Sequence, residues 1–172
     1  RDSFNPQLIY YLGTTYLQLE RYQDLIDQFT GYIESYPQSA MMDGSYYWSA
    51  LAMLFTEDYE EAVRRFSQVV AKHPQSPYYE DSQFRIGVAH FANDRLPDAE
   101  NVFSEFIAKY PESLLRGEGE LFLGDIASAD ARVGKAIRHY DNVSLHTREM
   151  NFINHATFQK IKLLEANGRF SQ

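Results

Sequence analysis

Cysteine is absent from the 172-residue sequence, and this absence removes whole classes of chemistry. Without a thiol the chain forms no disulfide, offers no thiolate nucleophile and holds no cysteine-ligated zinc. A reducing cytosol and a cell envelope are both compatible with a cysteine-free protein. The absence of cysteine therefore does not identify the cellular compartment.

Basic residues are few, because 16 lysines and arginines stand against 24 aspartates and glutamates, with a net charge of −8. This balance disfavours nucleic acid as a partner, since such binding rests on contacts between basic side chains and phosphates. The charge is unevenly spread: residues 1–130 have a net charge of −12 and residues 131–172 one of +4. This asymmetry fits an ordinary solvated surface, or an end-to-end or partner contact that charge steers.

Long apolar runs are missing as well, since no stretch of about 18 apolar residues occurs that could span a membrane. The hydrophobic content of 44% and the aromatic content of 15% are nevertheless ample for a packed core. The chain begins at Arg1 without a methionine or a signal peptide. We expect it to be a piece of a longer protein, with any targeting segment outside it.

A phrase of an aromatic residue, proline, a polar residue and serine recurs at residues 36–39, 73–76 and 110–113. Its prolines lie 37 residues apart, and a fixed period of this length is typical of stacked-repeat proteins. Proline ends the helix before it. The serine two residues later is a favourable N-cap for the next helix. The phrase therefore predicts a joint between two helices.

Rows of 37 residues align further columns, which predict two helices in each row. Three columns hold a small residue, then a leucine or alanine, and then an aromatic residue: Gly13, Ala50, Gly87 and Gly124; Leu25, Ala62, Ala99 and Ala136; Phe29, Phe66, Phe103 and Tyr140. The small residue lets the second helix approach the first closely. Polar pairs such as Glu20-Arg21 and Glu57-Asp58 separate the two helices and predict a tight turn.

These columns resemble those of the tetratricopeptide repeat. In the third row, its pattern is met by Ile86, Gly87, His90, Leu96, Ala99, Phe103, Phe106 and Pro111. The resemblance covers nearly the whole chain and implies an all-α, right-handed α-solenoid of helical hairpins. It divides a single array into repeats at about residues 4–40, 41–77, 78–114 and 115–151, with a partial fifth at 152–172. The fold itself does not imply a particular partner.

The repeat has 37 residues, whereas the common tetratricopeptide repeat has 34. We expect the three additional residues to lengthen the first helix of each hairpin by about one turn at its N-terminus. The longer repeat is similar to bacterial cell-envelope proteins of the outer-membrane assembly lipoprotein and Tol–Pal coordinator types. This similarity implies a periplasmic or outer-membrane location, with the cytoplasm as the alternative.

Helices are predicted at about residues 5–19, 22–36, 39–55, 58–73, 76–92, 96–110, 113–129, 132–146 and 149–166. The fourth joint departs from the pattern, because Arg148 stands where the other joints have proline. Asn167 and Gly168 predict a helix end. Phe170 then falls in the column that opens the second helix of a row, so we expect the natural protein to continue past Gln172.

In a tetratricopeptide array the first helices of the hairpins line a concave groove, and the resemblance assigns three columns to it. The first is Tyr10, Tyr47, Phe84, Leu121 and Phe158; the second is Thr14, Leu51, Val88, Asp125 and Lys162; the third is Leu17, Leu54, Phe91, Ser128 and Glu165. The first column is an apolar ladder. Its rings either pack on one another, or expose enough surface to grip an apolar or helical segment of a partner.

The sequence has no phosphate-binding glycine loop and no nucleophile elbow. His90 takes a packing column and is interpreted as a core residue, and His139 and His146 are interpreted as surface residues. Glu118 and Glu120 point to different sides of their helix and form no acid–base pair. We therefore predict no catalytic residue, metal site or cofactor.

The function predicted is a non-catalytic scaffold or adaptor that binds a protein or peptide in the groove. One alternative is a structural module that self-associates through its ends. Another is an array that recruits substrate for an enzyme domain outside this piece.

Overall fold

The computed structural model describes residues 6–168, and every regular element in this range is a helix. In chain order the helices are α1 (Pro6–Gln18), α2 (Tyr22–Ser35), α3 (Met42–Phe55), α4 (Tyr59–Lys72), α5 (Tyr79–Ala92), α6 (Leu96–Lys109), α7 (Arg116–Ala129), α8 (Val133–His146) and α9 (Met150–Ala166). The predicted helices appear in the predicted order. The all-α class is confirmed.

The helices belong to two compact units. The N-terminal unit, Arg1–Asp94, contains α1 to α5, and the C-terminal unit, Arg95–Gln172, contains α6 to α9. Within each unit, helices that follow one another in the chain pack together, as expected of helical hairpins. The single array and its repeat boundaries stay a prediction.

The aligned columns are buried. In the N-terminal unit the core includes Leu25, Phe29, Ala50, Ala62 and Phe66, each with at most 1% of its surface exposed. In the C-terminal unit the same columns supply buried Ala136 and Tyr140. Helical spacing therefore identified the residues that hold the hairpins together.

The turn inside each hairpin contains one residue with a left-handed backbone. After α1, the N–H of Glu20 donates to the carbonyl of Leu17, and the N–H of Arg21 donates to that of Tyr16. This Schellman pattern satisfies carbonyls that the helix end would otherwise leave unpaired. The left-handed residues are 37 positions apart: Glu20, Glu57, Asp94, Ala131 and Gly168. The predicted tight turns and the helix end at Gly168 are confirmed, whereas Phe170 lies outside the described residues.

The joints between hairpins correct one prediction. The helices α3, α5 and α7 begin three residues later than predicted and have 14 residues each. The backbone N–H of Ser39 donates to Tyr36, and its hydroxyl accepts a hydrogen bond from the N–H of Met41. Ser76 and Ser113 make the same bonds. The three additional residues therefore form a serine-stabilised turn and do not lengthen these helices.

The longer helix does occur at the fourth joint. Helix α9 has 17 residues and begins at Met150, three residues before the position that the period of α3, α5 and α7 would give. Arg148 replaces proline in this joint, and the helix begins two residues after it. Thr147 packs against Gly117 on α7, where a Cβ would lie 2.6 Å from the threonine side chain.

An ion-pair network crosses from α6 to α8 in the C-terminal unit. Arg132 binds Glu100 through two hydrogen bonds of 2.8 Å, and Lys135 also donates to Glu100. Hydrogen bonds from Arg132 and then Lys135 lower the pKa of Glu100 to about 2. The network therefore favours the ionised carboxylate in the folded state.

We predict that Ala131→Gly stabilises the protein by about 0.5–1 kcal/mol, because glycine adopts the left-handed backbone without a steric penalty. The free energy of unfolding in urea measures the effect. Ala108→Gly, at an exposed alanine within α6, is the control and should destabilise by up to about 1 kcal/mol. Equal losses of unfolding free energy in both variants would contradict a strained turn.

We further predict a loss of stability as the pH falls from about 4.5 towards about 2, where Glu100 becomes protonated in the folded state. Its pKa is lower in the folded chain than in the unfolded chain, so the contribution is fully present above pH 4.5. We expect it to be about 1 kcal/mol, as for a partly exposed ion pair. Thermal unfolding of Glu100→Gln should show a shallower pH dependence in this window, and an unchanged slope would contradict the assignment.

Candidate partner-binding surface

The first predicted groove column divides by exposure. Tyr10 on α1 and Phe158 on α9 are 52% and 63% exposed, whereas Tyr47, Phe84 and Leu121 are 9%, 0% and 8% exposed. The inner members therefore pack into the units, as one of the two interpretations of the ladder requires. A partner that binds without rearranging the fold can reach the outer members only. The role of the column in binding stays a prediction.

Tyr47 shows how an inner member is held. Its ring stacks on Tyr78 at a centroid distance of 4.5 Å and meets Phe66 edge-on at 5.9 Å. Its hydroxyl donates a 2.7 Å hydrogen bond to Asp81 on α5. Burial, and then the negative charge of Asp81, raises the pKa of Tyr47 well above its ordinary value. The hydroxyl therefore stays a donor at any physiological pH.

Trp48 connects this buried ring to the surface. Its indole N–H donates to the Tyr78 hydroxyl at 3.3 Å, and its ring meets Tyr10 edge-on at 5.8 Å. We call Tyr10, Tyr47, Trp48 and Tyr78 the aromatic cluster. Edge-to-face and stacked contacts of this kind fix ring orientations. The exposed Tyr10 ring therefore packs against a ring whose orientation is fixed.

The sequence identified Tyr47 and Tyr10 but missed Trp48, Tyr78 and Asp81. One signal was present, since Gly13 lies opposite Trp48 and leaves room for the indole. A Cβ on Gly13 would lie 2.2 Å from the Trp48 ring. The column of small residues thus leaves room for aromatic rings as well as for a neighbouring helix.

The other two predicted columns are apolar in the N-terminal unit. The hydroxyl of Thr14 donates to the carbonyl of Tyr10, so it is used within α1. The remaining members are half-buried and keep part of their surface exposed: Leu17, Leu51, Leu54, Val88 and Phe91. Leu17, Leu51 and Leu54 pack against the core with their buried parts. We call Tyr10, Leu17, Leu51 and Leu54 the apolar face.

In the C-terminal unit the same columns are polar. Asp125 accepts a 2.8 Å hydrogen bond from the Tyr140 hydroxyl and lies 3.2 Å from Nε2 of His155. Burial, and then the hydrogen bond to Asp125, raises the pKa of Tyr140, which stays protonated. Lys162 is exposed. In this unit the predicted columns therefore present charge and one exposed aromatic ring, Phe158.

A buried acid–imidazole pair was not predicted. Glu120 on α7 is 2% exposed, and its Oε2 lies 2.7 Å from Nδ1 of His139 on α8. His139 and His146, which the sequence places at the surface, are both half-buried. His139 is held against α7 by this pair, and His146 lies in the joint that packs on Gly117.

Within residues 6–168, no group of three or more histidine, aspartate or glutamate side chains is arranged to hold a metal ion. No helix in this range is long and apolar enough to cross a membrane. The predicted columns therefore contribute the apolar face and the polar residues of the C-terminal unit to the described surface.

Helical hairpins with a small-residue column, Schellman turns and partly exposed first helices define a protein of the tetratricopeptide class. More narrowly, the YfiO family of outer membrane lipoproteins matches residues 39–164, and the chain belongs to this family. A search of curated protein sequences gives no match.

Solved structures with this fold come from different proteins. A putative kinesin light chain of Podosopora anserina with nearly identical TPR-like repeats is 18% identical, with a TM-score of 0.73 over 96% of this chain and 90% of that one. MamA from Desulfovibrio magneticus RS-1 is 19% identical, with a TM-score of 0.65 over 81% of this chain and 74% of that one. At such low identity these similarities show the fold alone.

We predict that Gly13→Ala destabilises the protein by about 1–3 kcal/mol, because the new methyl group would overlap the buried Trp48 ring. The matched control is Gly31→Ala on α2, where a Cβ would meet nothing within 4 Å. This control should instead stabilise the helix by up to about 1 kcal/mol. Urea unfolding followed by tryptophan fluorescence measures both. An unchanged free energy of unfolding in Gly13→Ala would contradict the close contact.

Proposed function

We propose that this chain is a non-catalytic protein-interaction module of the bacterial cell envelope. The envelope location is supported by the family description, outer membrane lipoprotein. The interaction role is supported by the apolar face, where four side chains on two first helices keep part of their surface exposed. Exposed apolar surface of this kind is typical of binding sites.

The apolar face suits an apolar or helical segment of a partner. Leu17, Leu51 and Leu54 are anchored by their buried parts, so little side-chain entropy is lost when a partner covers the rest. Tyr10 adds an aromatic ring that Trp48 already orients. Preordered aromatic and aliphatic anchors are the usual centres of protein interfaces. The observation that carries the proposal is this rigid, half-exposed apolar face.

Site-specific photo-crosslinking in growing cells tests the proposal. A photoreactive residue at Leu17 or Leu54 should give a defined cross-linked product, and one at Leu114 or Leu145 is the matched control. Both control residues are exposed leucines of the C-terminal unit. Adding Tyr10→Ala with Leu51→Ala to the Leu54 probe should remove its product, while circular dichroism shows an intact fold.

The outcomes separate the competing functions. Cross-linking at the control positions only, or persistence of the Leu54 product in the double variant, would contradict the apolar face as a binding site. A product of twice the mass of the expressed protein would instead favour self-association. That alternative is supported by the opposite net charges of residues 1–130 and 131–172.

A further inference from the structure

The N-terminal unit has an open groove of about 890 Å³ between α2 and α4, the second helices of its two hairpins. Ile26, Thr30 and Gly31 of α2 form one side of it. A Cβ on Gly31 would have no neighbour within 4 Å, so the middle of the groove is open to solvent. This groove is separate from the apolar face, which the first helices form.

A buried arginine fixes the floor of the groove. Arg65 on α4 is 8% exposed and donates hydrogen bonds to Thr30 (2.9 Å), Ser49 (2.8 Å) and Glu61 (2.9 Å). These bonds tie α4 to α2 and α3. These bonds hold the guanidinium within the unit, so its charge mainly serves the fold.

The carboxylates around the groove outnumber its cations. Glu61 is bound by both arginines of the groove, Arg64 and Arg65. Four further carboxylates line it, on α2 and at the start of α4, and no ion pair joins them to any residue within 6–168: Asp27, Glu34, Asp58 and Glu60. The groove therefore carries excess negative charge, because five carboxylates stand against two arginines.

The C-terminal unit shows what the same repeat positions do when cations are present. Its second helices α6 and α8 are joined by Glu100, Arg132 and Lys135. Two periods earlier in the sequence these positions are Ile26, Asp58 and Glu61. The N-terminal unit thus has carboxylates at both cation positions and an apolar residue at the anion position. At these positions the chain places two cations in the C-terminal unit and none in the N-terminal unit.

We infer that the groove between α2 and α4 binds a segment of a protein partner that carries lysine and arginine side chains. The partner's cations would pair with carboxylates on both walls, and the aliphatic parts of its side chains would cover Ile26 and Gly31. Spread-out carboxylates suit several separate cations better than one metal ion, in accordance with the lack of a metal-binding group among residues 6–168. The inference does not rest on the role proposed for the apolar face.

A defined probe tests this inference. The probe is a fluorescein-labelled, helix-forming alanine–lysine peptide of about 16 residues, with a glutamate-for-lysine peptide as the negative control. Fluorescence anisotropy at about 0.15 M salt measures affinity without the long-range attraction that low salt exaggerates. Amide chemical shifts of the full chain locate the site. We expect the largest shifts at Thr30, Gly31 and Asp58.

A pair of charge-matched variants decides whether binding is local. Glu34→Lys with Asp58→Lys should weaken binding of the lysine peptide by about tenfold or more. Glu105→Lys with Glu112→Lys changes the net charge equally at exposed positions of the C-terminal unit and should leave affinity unchanged. Equal weakening in both variants would overturn the inference, because it would mean non-specific attraction to the −8 chain.

A second variant separates binding from folding. Ile26→Glu with Asp58→Arg transplants the Glu100–Arg132 pair into the groove. It should keep or raise the melting temperature and abolish peptide binding. Retained binding in this folded variant would overturn the inference. Sedimentation velocity tests whether the chain itself occupies the groove. Salt-sensitive dimers that disappear in Glu34→Lys with Asp58→Lys would mean that the groove binds a second copy of the chain and not a segment of another protein.

Discussion

Close approach at the small-residue column is the constraint on which each unit depends. In the N-terminal unit Gly13 leaves room for Trp48, and in the C-terminal unit Gly124 leaves room for Tyr140, since a Cβ would lie 2.2 or 2.5 Å from those rings. The rings lie against backbone, so their polar atoms reach fixed partners, Tyr78 and Asp125. The orientation of the exposed Tyr10 ring follows from the same contact.

Local steric rules made most of the fold predictable. Apolar spacing identified the helices and the buried columns, and the polar breaks identified the turns, because both signals depend on residues close in sequence. The joints were harder, since a serine after proline can cap a helix or stabilise a turn with the same hydroxyl. At Ser39 the turn forms, and the helix begins three residues later than predicted. Among the described joints, the fourth, with Arg148 in place of proline, is the one followed by the longer helix.

The candidate surface was less predictable, because exposure depends on what covers a residue and not on its column. Tyr10 and Tyr47 hold equivalent positions, yet contacts with α4 and α5 bury Tyr47, whereas Tyr10 stays half exposed. The contact between Glu120 and His139 joins two helices at a sequence separation of 19, and no spacing rule connects them. The 37-residue period therefore predicts which residues are equivalent, and the packing around each residue determines whether a partner can reach it.

Gly31 has a consequence for protein engineering. The equivalent residues of the later repeats are Gln68, Glu105 and Asn142, so an averaged repeat would carry a long polar side chain at this position. Such a consensus design would gain helix stability. It would also cover the open middle of the groove between α2 and α4. Optimising this chain as an ideal repeat protein would thus erase a difference between repeats that gives one surface its own shape and charge.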